Sequence, residues 1–173
     1  MSDFLRNDED IENTINEYAD LLYRTSFLVL RNRADVEDVV QDTFYKYMTT
    51  DMVFESDNHK RAWLLKVSQN KCKDLLRSHK IRAYVPYEEV EESLISKTDV
   101  GKNDIEELLK IEELDYKYKS VIMLYYYEEY SIEEVANILG LTVSAVKKRL
   151  QRAREKVRKV YEKTYRGGEN YEI

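Results

Sequence analysis

Apolar residues recur along most of this chain at intervals of three and four, the spacing that gathers them on one face of an α-helix. Ile11, Ile15, Tyr18, Leu22 and Phe27 or Leu28 set that pattern for a first helix over 10–31, which becomes almost continuously hydrophobic toward its end. Asn32 and Arg33 break it. Val36, Val39, Val40, Thr43, Phe44 and Tyr47 then form one stripe of a second helix from Ala34 to about Thr49, whose other side carries Asp38, Gln41, Asp42, Tyr45 and Lys46. A short polar stretch, 50–57, leads into a long third helix over about 58–82, with a core face of Leu64, Leu65, Ser68, Cys72, Leu75 and Leu76. Beyond it the period fails. Residues 84–102 hold the only proline, Pro86, with scattered serines and Gly101, which are the features of a linker. Helical spacing resumes over 104–113 and 116–130, and two more helices follow. The expected fold is therefore all-α: a three-helix domain over 1–82, a flexible linker over 83–103 and a four-helix domain over 104–173.

The stretch SIEEVANILGLTVSAVKKRLQRAR, 131–154, carries the sharpest local signal. Ser131 and Glu134 have capping-box spacing ahead of a short helix with Ile132, Val135, Ala136 and Leu139 on its apolar side. Gly140 suits the left-handed residue that ends such a helix, and Thr142 suits the cap of the next. A short helix, a tight glycine turn and a longer helix make a helix-turn-helix, in which Ala136, Gly140 and Val146 supply the small residue at the crossing, the turn former and the apolar anchor. Val146, Leu150, Ala153, Val157 and Val160 seat the second helix. Its opposite side presents Ser144, Lys147, Lys148, Arg149, Arg152 and Arg154, the residue types that reach base edges and neutralise phosphates in the major groove.

Charge sharpens this picture. The 173-residue chain has a formal net charge of -6, yet its charges come in blocks. Residues 142–166 hold ten positive side chains against two negative, residues 60–82 eight against one, and residues 88–115 three positive against eleven acidic. A merely solvated helix face mixes signs through i, i+4 pairs, and these faces hardly do. In the earlier basic block Trp63, Lys66, Asn70, Lys73, Arg77 and Lys80 recur along one side of the third helix, with Lys60 at its head. Such a stripe tracks a nucleic-acid backbone. Trp63 has two readings, stacking on an unpaired base or packing in the core, and packing is the commoner fate of tryptophan in small domains.

Composition excludes other classes. Four glycines and one proline among 43% hydrophobic and 36% charged residues favour helices over strands. No apolar run nears the ~20 residues of a membrane span, and the acidic start MSDFLRNDED is unlike a secretory signal. A lone cysteine, Cys72, excludes an internal disulfide framework. The chain is expected to be soluble and cytoplasmic, with no membrane insertion. Cys72, His59 and His79 are too few for a metal site, and no phosphate-cradling glycine loop occurs, so neither cofactor nor enzymatic activity is expected.

Three stretches resemble the sigma-70 family of bacterial sigma factors, specifically its extracytoplasmic-function (ECF) group. ADVEDVVQDTFYKYM, 34–48, is similar to the helix that binds the clamp of RNA polymerase; RAWLLKVSQNKCKDLLR, 61–77, to the segment that reads and melts the -10 element; and YKSVIMLYYYEEYSIEEVANILGLTVSAVKKRLQRAR, 118–154, to the domain that binds the -35 element. The resemblance implies core-polymerase contacts at Asp38, Gln41 and Asp42, with Tyr45 on the same face. It implies -10 contacts along Lys60, Trp63, Lys66, Asn70, Lys73 and Arg77, with Asp74 also at a family position, and -35 contacts at Ser144, Lys147, Lys148, Arg149 and Arg152. A serine often stands in the family where this chain has Lys148. A loop for a flipped base would lie around 49–60, and the tyrosines Tyr125 to Tyr127 fall at an apolar, packing position. The implied partners are core RNA polymerase, promoter DNA and a cognate anti-sigma factor. The alternative from the residues alone is a stand-alone helix-turn-helix regulator whose first domain senses a ligand or dimerises.

Overall fold

A computed structural model describes residues 5–81 and 114–166. Every regular element among them is helical. The expected linker over 83–103, the helix over 104–113 and the domain boundaries at either end of the linker lie outside these residues. The chain divides into two compact units.

In the first unit, α1 (Asp8–Leu30), α2 (Arg33–Thr49) and α3 (Asp57–Ile81) each pack against the other two. The Asn7 side chain caps α1 by accepting from the Glu9 N–H, and Asp8, Glu9 and Asp10 place negative charge where the helix dipole favours it. Arg31 ends the helix in the left-handed conformation, φ 55°, with its N–H on the Phe27 carbonyl. Asn32 then caps α2 through its carboxamide oxygen and the Asp35 N–H, 3.0 Å. The break expected at 32–33 is thus a reversal of two residues, tight enough to fold α2 back onto α1.

Leu22, Leu28, Val36, Val39, Tyr47, Leu64, Leu65 and Cys72 are closed to solvent, and complete burial of each aliphatic side chain contributes about 2 kcal/mol. Val40, Leu75 and Leu76, expected in the same stripes, are only half-buried at its edge. Three small hydroxyl residues inside this core are satisfied by their own helices: Thr25 donates to the Leu21 carbonyl at 2.8 Å, Thr43 to Val39 at 2.7 Å and Ser68 to Leu65 at 3.0 Å.

The second unit departs from the expected pattern at its start. A single helix over 116–130 is predicted, but α4 (Tyr116–Ile122) widens into a π-helical turn, Met123–Tyr127, and stops. The Glu128 N–H reaches five residues back to the Met123 carbonyl, the Tyr130 N–H six back to Leu124, and Glu129 turns left-handed at φ 59°. The extra residue per turn shifts the register. Met123, Leu124, Tyr127 and Tyr130 are all buried, while Tyr126 faces solvent.

The helix-turn-helix follows as predicted. Before α5 (Ile132–Leu139), the Ser131 N–H donates to the Glu134 carboxylate at 2.8 Å and the Glu134 N–H to the Ser131 hydroxyl at 3.2 Å. Gly140 is left-handed, φ 64°, and the Leu141 N–H closes the turn on the Ala136 carbonyl at 2.8 Å. Thr142 accepts from the Ala145 N–H, 3.1 Å, and caps α6 (Val143–Arg166). Val146, Leu150 and Ala153 are buried and α4 packs on α6.

Candidate nucleic-acid interface

Because Val146, Leu150 and Ala153 fix the inner side of α6, its rotation is set and the polar side chains point away. Ser144, Lys147, Lys148 and Arg152 are exposed, and Arg149 is half-buried at the edge of the same face. Arg154 is exposed but engaged: its Nε donates to the Tyr126 hydroxyl at 2.7 Å, with its guanidinium 5.7 Å from the ring centre. Tyr126 was expected to pack as an apolar residue with its neighbours. Tyr126 instead reaches the surface as a partner of α6, and only Tyr127 of the three is fully enclosed.

On α3 the stripe is part surface and part interior. Lys66, Asn70, Lys73 and Arg77 are exposed along one side of the helix. Lys60, predicted to share that nucleic-acid face, turns toward the protein instead, and Trp63 takes the packing one of its two readings. The Trp63 ring lies 5.5 Å from Phe54 and 6.4 Å from Tyr47. The Lys60 ammonium sits 3.4 Å from an Asp10 carboxylate oxygen and 3.3 Å from the Thr14 hydroxyl, and 5.5 Å from the centre of the Tyr47 ring. Tyr47 donates to Asp10 at 2.7 Å and accepts from Thr14 at 3.2 Å. The Tyr47 hydrogen bond holds the Asp10 carboxyl below its ordinary range, against the opposing effect of burial and with help from Lys60 and Arg6. Burial disfavours the Lys60 ammonium, yet Tyr47 and Asp10 together hold it above its usual value. Lys60 is a half-buried cation held against the protein, because Asp10 and Thr14 of α1 and Tyr47 of α2 converge on it. Sequence reasoning did not find this network, nor Arg6, whose guanidinium stacks 4.5 Å from the Tyr47 ring centre.

The α2 face opposite its core stripe is open. Asp38 and Gln41 are exposed, and Tyr45 is 66% exposed although aromatic. Asp42 shares the face but is bridged to Lys71 of α3, which raises the lysine above its ordinary value by hydrogen bonding to it. A second bridge, His79 to Asp35 at 3.5 Å, also crosses from α3 to α2. Burial pushes the Cys72 thiol up to about 12, so it behaves as a small apolar residue rather than a nucleophile. Among the described residues no group of three or more His, Cys, Asp or Glu side chains is arranged to hold a metal ion, and no helix is long and apolar enough to cross a membrane.

A bundle of three helices with a cationic flank, and a helix-turn-helix with an exposed basic face, define a two-unit protein of the helix-turn-helix class. Comparison with known proteins narrows this. The family model for sigma-70 region 2 matches residues 14–81, and the one for sigma-70 region 4 matches residues 106–157. RNA polymerase sigma factor SigV of Bacillus subtilis is 31% identical over 140 residues, covering 80% of this chain and 83% of its own. The ECF RNA polymerase sigma factor SigW of the same organism is 27% identical over 169 residues, covering 89% and 90%. The solved structure of CnrH in complex with the cytosolic domain of CnrY is 26% identical, with a TM-score of 0.62 over 90% of each chain. The chain belongs to the sigma-70 family of RNA polymerase sigma factors, in its extracytoplasmic-function group.

Proposed function

We propose that this chain is a dissociable initiation subunit that binds bacterial core RNA polymerase, recognises promoter DNA and opens it. One observation carries the reading: two separate cationic faces in one chain, each on a unit matched by a different sigma-70 region. Residues 1–82 would hold the polymerase-binding and -10 functions, 83–103 would be the acidic connector, and 104–173 would read the -35 element. On α2, Asp38, Gln41 and Tyr45 form the polymerase-facing patch, with Asp42 contributing once freed from Lys71. On α3, Lys66, Asn70, Lys73 and Arg77 meet the opened strand. On α6, Ser144, Lys147, Lys148, Arg149 and Arg152 meet duplex DNA.

The division of labour follows from the chemistry. A capped helix seated on its own domain enters the major groove, and its lysines and arginines gain affinity by releasing condensed counterions. The α3 face suits single strands, where backbone tracking needs a cationic rail and Asn70 offers a donor and an acceptor to a base or sugar edge. Opening is then driven by capture of unstacked bases in the holoenzyme, with no nucleotide hydrolysis and no catalytic step by this chain. The protein works in the cytoplasm. An anti-sigma factor that covers the α2 face and the helix-turn-helix keeps it inactive; the complex of the related CnrH with the cytosolic domain of CnrY supports a protein partner of this kind.

Run-off transcription with bacterial core polymerase on sheared genomic DNA of the source tests the reading. Discrete transcripts that depend on the protein and vanish with Asp38→Ala plus Gln41→Ala are expected. Operator binding by the free protein, with no transcripts and no co-elution with core polymerase, would instead favour a stand-alone regulator.

A further inference from the structure

Tyr126 is 39% exposed in a turn whose other members Met123, Leu124 and Tyr127 are buried. It lies outside the helix-turn-helix, in the π-helical turn ahead of it, yet it is bonded to the helix that meets DNA. The Arg154 Nε donates to its hydroxyl at 2.7 Å, and the guanidinium stands 5.7 Å from its ring centre. Tyr125 meets the same ring edge-on, with 4.9 Å between ring centres, and limits its swing. Tyr126 and Arg154 are both exposed, so their bond adds little to the core. What it governs is the direction of Arg154.

A guanidinium is a rigid planar fork of donors. The Tyr126 hydroxyl occupies the inner one, Nε, and leaves the terminal pair, Nη1 and Nη2, to act together. Among the described residues no acceptor meets that pair. Arg154 follows Lys147 by seven residues, two turns of α6, so both stand on one side of the helix with ~10 Å between them along its axis. A major groove is ~12 Å wide. With the start of α6 in the groove, Lys147 lies within it and Arg154 reaches the sugar-phosphate strand at its border. Two N–H groups in one plane match two oxygens of a phosphate. An arginine already held by Tyr126 loses less freedom on binding than a loose one.

We infer that Tyr126 is a positioning residue for DNA binding: it holds Arg154 so that the two terminal nitrogens clamp one backbone phosphate at the border of the groove, outside the set of Ser144, Lys147, Lys148, Arg149 and Arg152. The inference rests on the promoter-recognition reading above. Such a contact carries no sequence information; it fixes the angle and depth at which α6 enters. Tyr126→Phe keeps the ring but removes the acceptor, and Arg154→Lys keeps the charge but removes the fork.

The test uses holoenzyme assembled from core polymerase and full-length protein: wild type, Tyr126→Phe, Arg154→Lys and Arg154→Ala. The DNA is a promoter fragment mapped by run-off transcription, with each phosphate of the upstream element replaced in turn by a neutral methylphosphonate. Among the positions to which wild type is sensitive, one is expected to weaken binding about tenfold and to become silent in Arg154→Ala. Tyr126→Phe and Arg154→Lys should each retain only about threefold at that position, with the other positions and the melting temperature unchanged. A full penalty there in Tyr126→Phe overturns the inference, as does an Arg154→Ala protein that stays sensitive at every position. Earlier melting of Tyr126→Phe, or sensitivity lost evenly at all positions, overturns it too, because the bond then braces the unit instead of aiming the arginine. Wild-type holoenzyme that binds no promoter fragment would instead sink the promoter-recognition reading itself.

Discussion

Individual residues in this chain divide by where their partners come from. Gly140 and Thr142 act on neighbours a few positions away, whereas Tyr47, Asp10 and Lys60 meet across 37 and 50 positions. The first kind was legible in the sequence because a cap or a left-handed turn is specified by local residue types. The second kind was not, because helical periodicity assigns a lysine to a face without saying what stands opposite it. Lys60 was accordingly read with the nucleic-acid stripe, although it neutralises Asp10; for Trp63 periodicity left stacking and packing both open, and the ring packs on Phe54. Trp63→Ala should cost about 2 kcal/mol in thermal or chemical denaturation, below the ~3–5 kcal/mol of a fully enclosed aromatic because Trp63 is half-buried. Asn70→Ala should leave the melting temperature unchanged and weaken only the binding of opened DNA. Asp10 makes a pH prediction. Its folded pKa lies below the ordinary 3.8, so the stability it contributes is present above that value and is lost as pH falls through the lowered one. Asp10→Asn is therefore expected to melt earlier than wild type near neutral pH, with the gap closing once both are measured well below pH 3.8.

At the scale of elements, helix positions were legible to within one or two residues, because apolar stripes mark the axis and caps mark the ends. The exception is instructive. Over 116–130 the apolar residues are so dense that any helical period fits, and only the backbone reveals that Met123–Tyr127 is a π-helical turn. Within that turn Tyr126 pairs at the surface with Arg154. The turn of the helix-turn-helix is testable by geometry alone. A Cβ at Gly140 would meet nothing within 4 Å, so Gly140→Ala should be destabilising only through its left-handed backbone, by about 1 kcal/mol, and Gly140→Asn by less. Calorimetry of the three proteins checks the order. Ser131→Ala, which breaks the reciprocal cap of α5, should cost a further ~1 kcal/mol.

For the whole molecule, the segregation of charge matters more than its sum. A net charge of -6 opposes loose binding to bulk DNA, while the exposed lysines and arginines of α6 retain a local attraction. Replacing Lys147, Lys148 or Arg152 by alanine should each reduce the salt slope of holoenzyme binding to duplex by about 0.9 where the residue meets a phosphate. Titrations of binding against salt concentration for each variant would measure this, and an unchanged slope would remove that residue from the interface. The double replacement of Asp38 and Gln41, both exposed, should abolish co-elution with core polymerase without altering stability.

The half-buried setting of Trp63 has an optical consequence. It is the only tryptophan among fifteen tyrosines, so red-edge excitation makes the emission of the whole protein the emission of one place. That place touches the loop through Phe54. Any event that moves the loop changes the polarity and quenching around a single indole. In stopped flow, DNA opening would then be visible as a change in colour and intensity, with no label attached to the protein.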